Sequence, residues 1–116
     1  LNDPEGKDTA TICTVIFDTR EQAVRVAGAL DSKTVDQSGW HVYANMEHVL
    51  QYLKQVGQPH TKGSYPRTDD ILSRAMNISI GVVDAGLGAG WGINIESTDT
   101  EIEAKAEQFL EACRIS

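Results

Sequence analysis

The sequence predicts an α+β fold in which a small, mainly antiparallel sheet carries helices on one face. Three observations point there. Apolar residues switch repeatedly between strand-like runs and helical spacing. The resulting element order, β-α-β-α-(α)-β-β-α, mixes helices with adjacent strands rather than alternating them strictly. The 116 residues are 41% hydrophobic and 23% charged, an ordinary composition for one core and one domain over 1–116.

"ATICTVIF" (10–17) is a β-branched run, expected as a strand buried on both faces. Asp18 or Thr19 then caps "REQAVRVAGAL", where Ala23, Val26, Ala27 and Leu30 recur at helical spacing. "GWHVYA" (39–44) reads as a second extended piece. Asn45 is the expected N-cap of "NMEHVLQYLKQV", apolar at Met46, Val49, Leu50, Leu53 and Val56, with Gly57 as its stop. The stretch 57–67, with two prolines and two glycines, is a loop. Thr68 is expected to cap "DDILSRAMN", with Asp69 and Asp70 as helix-start acids facing the dipole. "ISIGVV" (78–83) and "GINIES" read as strands pairing in a hairpin across a glycine-rich loop, 84–92. Thr98 or Asp99 caps the last helix, apolar at Ile102, Ala106, Phe109 and Leu110.

A net charge of −7, with cations scattered singly, argues against a nucleic-acid surface or an anionic membrane face. No apolar stretch is long enough to span a bilayer, and nothing resembles a leader, so a soluble cytoplasmic chain is expected. In that compartment Asn77-Ile78-Ser79 is a chance glycosylation sequon. Cys13 and Cys113 match no metal spacing and are expected as small buried apolar side chains rather than a disulfide. The opening "LNDPEGKDTA", polar and without Met, reads as a piece of a longer protein.

Four alternating glycines, Gly86, Gly88, Gly90 and Gly92, invite a phosphate-binding reading. The dinucleotide fingerprint G-x-G-x-x-G fails in both frames, because Trp91 or Ile93 stands where the third glycine belongs. A strand rather than a helix follows, and Asp84 would repel an anion. A hairpin loop anchored by Trp91 is expected instead. His41, Tyr43 and His48 cluster in sequence, but the two histidines straddle a strand–helix junction and lack the spacing of a helical metal pair. Ser73 and Ser79 lack a nucleophile-elbow context. No catalytic residue and no metal site is assigned.

Three segments together resemble a known family. "LNDPEGKDTATICTVIFDTREQAVRVAGAL", "GWHVYANMEHVL" and "YPRTDDILSRAMNISIGV" are similar to successive parts of the C-terminal small domain of DegT/StrS-type sugar aminotransferases, fold-type I enzymes that use pyridoxal phosphate (PLP). The resemblance implies a chain that does not catalyse alone but walls the substrate cleft of a transaminase, with a keto sugar or nucleotide sugar as substrate, and homodimerises in the parent protein. It implies that PLP is held mainly by a separate large domain carrying the Schiff-base lysine. None of Lys7, Lys33, Lys54, Lys62 and Lys105 sits in a motif that could replace that lysine. By the same resemblance His41, Tyr43, His48 and Arg74 face substrate. The chain departs from the family at Ile80, where a proline is usual, and in its longer glycine-rich connection. Two other readings stand beside it: a stand-alone small-ligand module around the glycine loop and His41/His48, and an interaction domain that pairs through a sheet edge.

Overall fold

The computed structural model describes residues 5–6, 11–39, 42–81 and 90–114. Its elements run β1 (Ile12–Ile16), α1 (Arg20–Ala29), α2 (Val35–Ser38), a 3-10 turn (Tyr43–Asn45), α3 (Glu47–Gln55), α4 (Pro66–Ser73), β2 (Ala75–Ser79) and α5 (Asp99–Arg114). The fold is α+β, with β1 and β2 paired antiparallel from Ile12↔Ser79 to Ile16↔Ala75.

Local chemistry sets most helix ends. Thr19 and Gln22 form a capping box at α1: Thr19 Oγ1 accepts the Gln22 N–H at 3.2 Å, and Gln22 Oε1 accepts the Thr19 N–H at 3.3 Å. Thr98 and Glu101 do the same at α5, at 3.3 and 2.7 Å. Helix α4 starts three residues earlier than Thr68 as its cap predicts. Pro66 takes the first helical position, where its missing N–H costs nothing, and Tyr65 is the N-cap.

Helices α1 and α5 cover one face of the sheet. Val26, Ala27 and Leu30 pack with Met76 and Ala112, and Phe17, Ile78, Trp91 and Phe109 close around them. A second cluster of Val35, Val42 and Ala75, with Leu72, seals the Ala75 end of β2 under α2 and α4. The opposite face carries Ile12, Thr14 and Ile16, with Ile12 44% and Ile16 56% exposed. The expectation of a doubly buried first strand is therefore corrected: the described sheet has two strands, α1 and α5 cover one face, and on the other α2 and α4 reach only the Ala75 end.

Other expectations change for equally local reasons. Asn45 does not cap α3; it ends the 3-10 turn, and its Nδ2 donates to the Gly39 carbonyl at 2.9 Å. Tyr43–Asn45 is thus a tight turn rather than part of an extended strand. Helix α3 forms with the expected spacing, but none of its residues is buried. In α5 the covered stripe is Phe109 and Ala112, while Ile102 and Leu110 stay exposed. The last strand starts at Ala75 rather than Ile78, because the Phe17 N–H bonds the Arg74 carbonyl at 2.9 Å and draws the chain into the ladder at once.

The expected hairpin partner of β2 is not a strand. Trp91 and Ile93 meet Ser79 through one parallel bridge at Gly92, with the Ser79 N–H on the Trp91 carbonyl at 2.9 Å and the Ile93 N–H on the Ser79 carbonyl at 2.8 Å. Beyond it Asn94 heads a turn, its Oδ1 accepting the Glu96 N–H at 2.8 Å. Of the loop at 84–92, positions 84–89 lie outside the described residues. Trp91 does anchor it, packed 6.2 Å from the Phe109 ring with Lys105 Nζ 5.0 Å above the indole. Cys13 is exposed and Cys113 half-buried, so the expectation of two buried thiols does not hold.

Candidate functional site

The arrangement that gathers most polar groups lies where the 3-10 turn, the loop after α3 and α4 converge. The turn presents Tyr43 toward the first turn of α4. There the Tyr43 hydroxyl donates to the Asp69 carboxylate, 2.8 Å from Oδ1 and 2.9 Å from Oδ2. The same oxygen accepts the Gly63 N–H at 3.2 Å. Tyr65 meets the Tyr43 ring edge-on at 5.1 Å, and His60 stacks on Tyr65 with Nδ1 3.0 Å from the Tyr65 hydroxyl. Burial first, and then the Asp69 carboxylate, push the Tyr43 phenol above its usual range.

Behind this cluster opens a pocket of about 350 Å³. Its polar lining includes Arg20, Asp36, Lys62, Asp69 and Asp70, and Asn45 and Ser73 add neutral groups. Three carboxylates thus face two cations. Arg20 is turned toward Asp36 at 3.8 Å, and Thr34 Oγ1 donates to the other Asp36 oxygen. Such a lining hydrogen-bonds hydroxyl or amino groups well. A second hollow of about 530 Å³ lies beside Trp91, but Lys105 already covers the indole there.

The four residues expected at the substrate do not converge. Tyr43 is central to the cluster. Arg74 ends α4 and does not line the pocket; Nε and Nη2 bond Asp70 at 3.2 and 2.8 Å, and Nη1 bonds the Phe17 carbonyl at 2.8 Å. Each partner of that ion pair stabilises the other's charge, holding Asp70 below the usual carboxylate range and Arg74 above its own. An arginine so occupied clamps β1 to α4 instead of waiting for an anion. His48 is exposed on α3 and lines no part of the pocket. His41 lies outside the described residues. Sequence reading missed Asp69 as a partner of Tyr43, and it missed the His60–Tyr65 stack. The run His-x-x-x-x-Tyr before a helix-starting proline was the available signal.

Among the described residues no group of three His, Cys, Asp or Glu side chains could hold a metal ion, and no helix is long and apolar enough to cross a membrane. Neither a family model, nor a curated protein, nor a solved structure matches the chain.

Proposed function

We propose that this chain is a non-catalytic domain that packs on a second folded unit and lends the pocket lined by Asp36, Asp69 and Asp70, beside Tyr43, as one wall of a substrate cleft. The observation that carries the reading is the apolar surface left open next to that pocket. Helix α3, which continues from the pocket's 3-10 turn, exposes Val49 (36%), Tyr52 (62%) and Val56 (50%) on one side. A three-turn helix gains little from propensity alone and is normally held by covering such a face.

In its narrower form, suggested by the three-segment resemblance, the domain belongs to a cytoplasmic, homodimeric PLP-dependent aminotransferase acting on a keto sugar or nucleotide sugar. The pocket residues themselves do not fit PLP. Of the two lining cations Arg20 already faces Asp36, which leaves Lys62 alone among them to meet its phosphate. In this reading the cofactor and its lysine therefore belong to the second unit, which supplies the amino-transfer chemistry. Sugar hydroxyls and a newly formed amine suit the carboxylates and Asn45 on this side.

One observation favours a second reading as a stand-alone ligand-binding domain: the lining of the pocket comes from this chain, and its volume falls within the range of small-molecule sites. Expressing the complete reading frame with PLP separates the two. Visible absorbance from bound cofactor, with amino transfer to a keto sugar, is the expected result. A frame encoding only this domain, whose melting point rises with simple sugars, would support the second reading and overturn the first.

A further inference from the structure

The segment Thr11–Phe17 contains no charge and no proline. Its ladder with β2 is bracketed by the Ile80 N–H on the Thr11 carbonyl at 3.1 Å and the Phe17 N–H on the Arg74 carbonyl at 2.9 Å. Hydrogen-bonded positions alternate along an antiparallel pair. Odd-numbered residues therefore bond β2, and the backbone N–H and C=O groups of Ile12, Thr14 and Ile16 point to the outer edge. Among the described residues no strand pairs with that edge. Natural edge strands are protected by charges, prolines or bulges. This one has none of them, and Ile12, Thr14 and Ile16 are all exposed.

We infer that β1 pairs edge to edge with β1 of a second copy of this chain, antiparallel, about a two-fold axis at Thr14. The outward-bonding positions read Ile-Thr-Ile in either direction. An antiparallel copy thus sets Ile12 against the partner's Ile16 and Thr14 against the partner's Thr14, both favourable cross-strand pairs. That palindrome selects a copy of the same chain over an unrelated strand. Charge agrees with the choice. The paired segment Thr11–Phe17 carries no charged side chain, and an antiparallel pairing sets the Asp18 residues that follow it at opposite ends of the seam. The assembly closes at two, because a two-fold seam uses each β1 edge once; the far edge of β2 is met at Ser79 by Trp91 and Ile93. One short strand pair buries less than the roughly 1,200 Å² of a standard stable interface, so the dimer forms by mass action as concentration rises. This inference stands independently of the proposed cleft.

Sedimentation velocity over a concentration series, combined with cysteine crosslinking, tests it. The chain should pass from monomer to dimer and not beyond. Thr14→Lys places two cations opposite each other and should weaken the dimer by about tenfold or more. Because Thr14 Oγ1 also donates to Asn77 Oδ1 at 2.7 Å, Thr14→Val controls for loss of that bond and should still dimerise. In a Cys13→Ser background, Thr14→Cys should crosslink to itself under mild oxidation, since opposed Cα atoms there are about 5.5 Å apart, within disulfide range. Ile12→Cys, which faces the partner's Ile16 in this register, should not. A chain that stays monomeric, a dimer indifferent to Thr14→Lys, or self-crosslinking at position 12 as fast as at 14 would each overturn the proposal.

Discussion

The Tyr43 hydroxyl reaches both oxygens of Asp69, at 2.8 and 2.9 Å, and so ties the 3-10 turn to α4 across 26 residues. The neighbouring carboxylate, Asp70, is turned to Arg74 and through it to the Phe17 carbonyl. Two adjacent acids thereby hold α4 from two directions, toward the pocket and toward the sheet.

Removing the first tie should be visible in melting. Tyr43→Phe keeps the ring contact with Tyr65 but leaves Asp69 and the Gly63 N–H without their shared hydroxyl. A Tm lowered by a few degrees is expected, with a larger loss than for Tyr65→Phe. The folded Tyr43 pKa lies above the ordinary 10.0, so this contribution is complete below that value and is lost as pH rises through the folded pKa. The Tm difference between wild type and Tyr43→Phe should therefore shrink at strongly alkaline pH.

The second tie titrates on the acid side. Asp70 is held below the ordinary 3.8, so its contribution is present above that pH and disappears as pH falls through the folded value. Asp70→Asn should flatten the acid limb of a Tm-against-pH curve. At neutral pH the change should be small, because the Asp70 side chain is 61% exposed and water screens the pair.

The two capping boxes should part company in acid. Thr19→Ala and Thr98→Ala should each cost about 1 kcal/mol in urea unfolding at neutral pH. Gln22 does not titrate, so the Thr19 effect should persist at low pH. Glu101 is held below its ordinary 4.5 by the Thr98 N–H and then by the Thr98 hydroxyl, so the part of the Thr98 effect that comes from Oγ1 donating to Glu101 Oε2 at 3.0 Å should fade as pH drops through the folded value.

Gly92 carries a φ of +144° with the Ser79 backbone directly beside it; an added Cβ would stand 2.6 Å from Ser79 N. Gly92→Ala should destabilise by at least about 2 kcal/mol, through strain and loss of the bridge. Of the four alternating glycines, this one has a structural requirement independent of any ligand. Chemical denaturation of Gly92→Ala against wild type checks it.

Met76 is completely buried at the centre of a core built mostly from small side chains. Met76→Ala should cost about 2–5 kcal/mol. In a domain with this little buried apolar volume that is enough to leave a substantial unfolded fraction, which far-UV circular dichroism at 25 °C would report.

What could be read from the sequence was the local chemistry. Thr19, Thr98 and the helical spacing of Val26, Ala27 and Leu30 all sit where short-range rules put them. What could not be read was pairing at long range. β2 begins at Ala75 because Phe17 and Ile16 lie beside it, and the helical propensity of "RAMN" pointed the other way. "GINIES" alternates like a strand yet turns at Asn94, whose side chain satisfies the backbone locally. The same limit held for the site. Tyr43 stood out in an aromatic cluster, but Asp69 looked like a helix-start acid, and their hydrogen bond belongs to neither pattern. Arg74 looked available to an anion because its partners, Asp70 and the Phe17 carbonyl, are set by the fold.

The pairing of β1 with β2 also orders events in time. Thr14 meets Asn77, 63 residues further along the chain. At about 5–20 residues per second of synthesis, β1 waits several seconds on the ribosome before its partner emerges. The capped helix α1 can form during that delay, but the strand cannot. Its uncharged backbone edge is exposed on nascent chains of the same polysome, which can find one another before β2 arrives. Non-local closure of this kind also slows refolding of the finished chain. Yield of native protein should thus depend on translation rate and chaperone supply as much as on the stability of the finished fold.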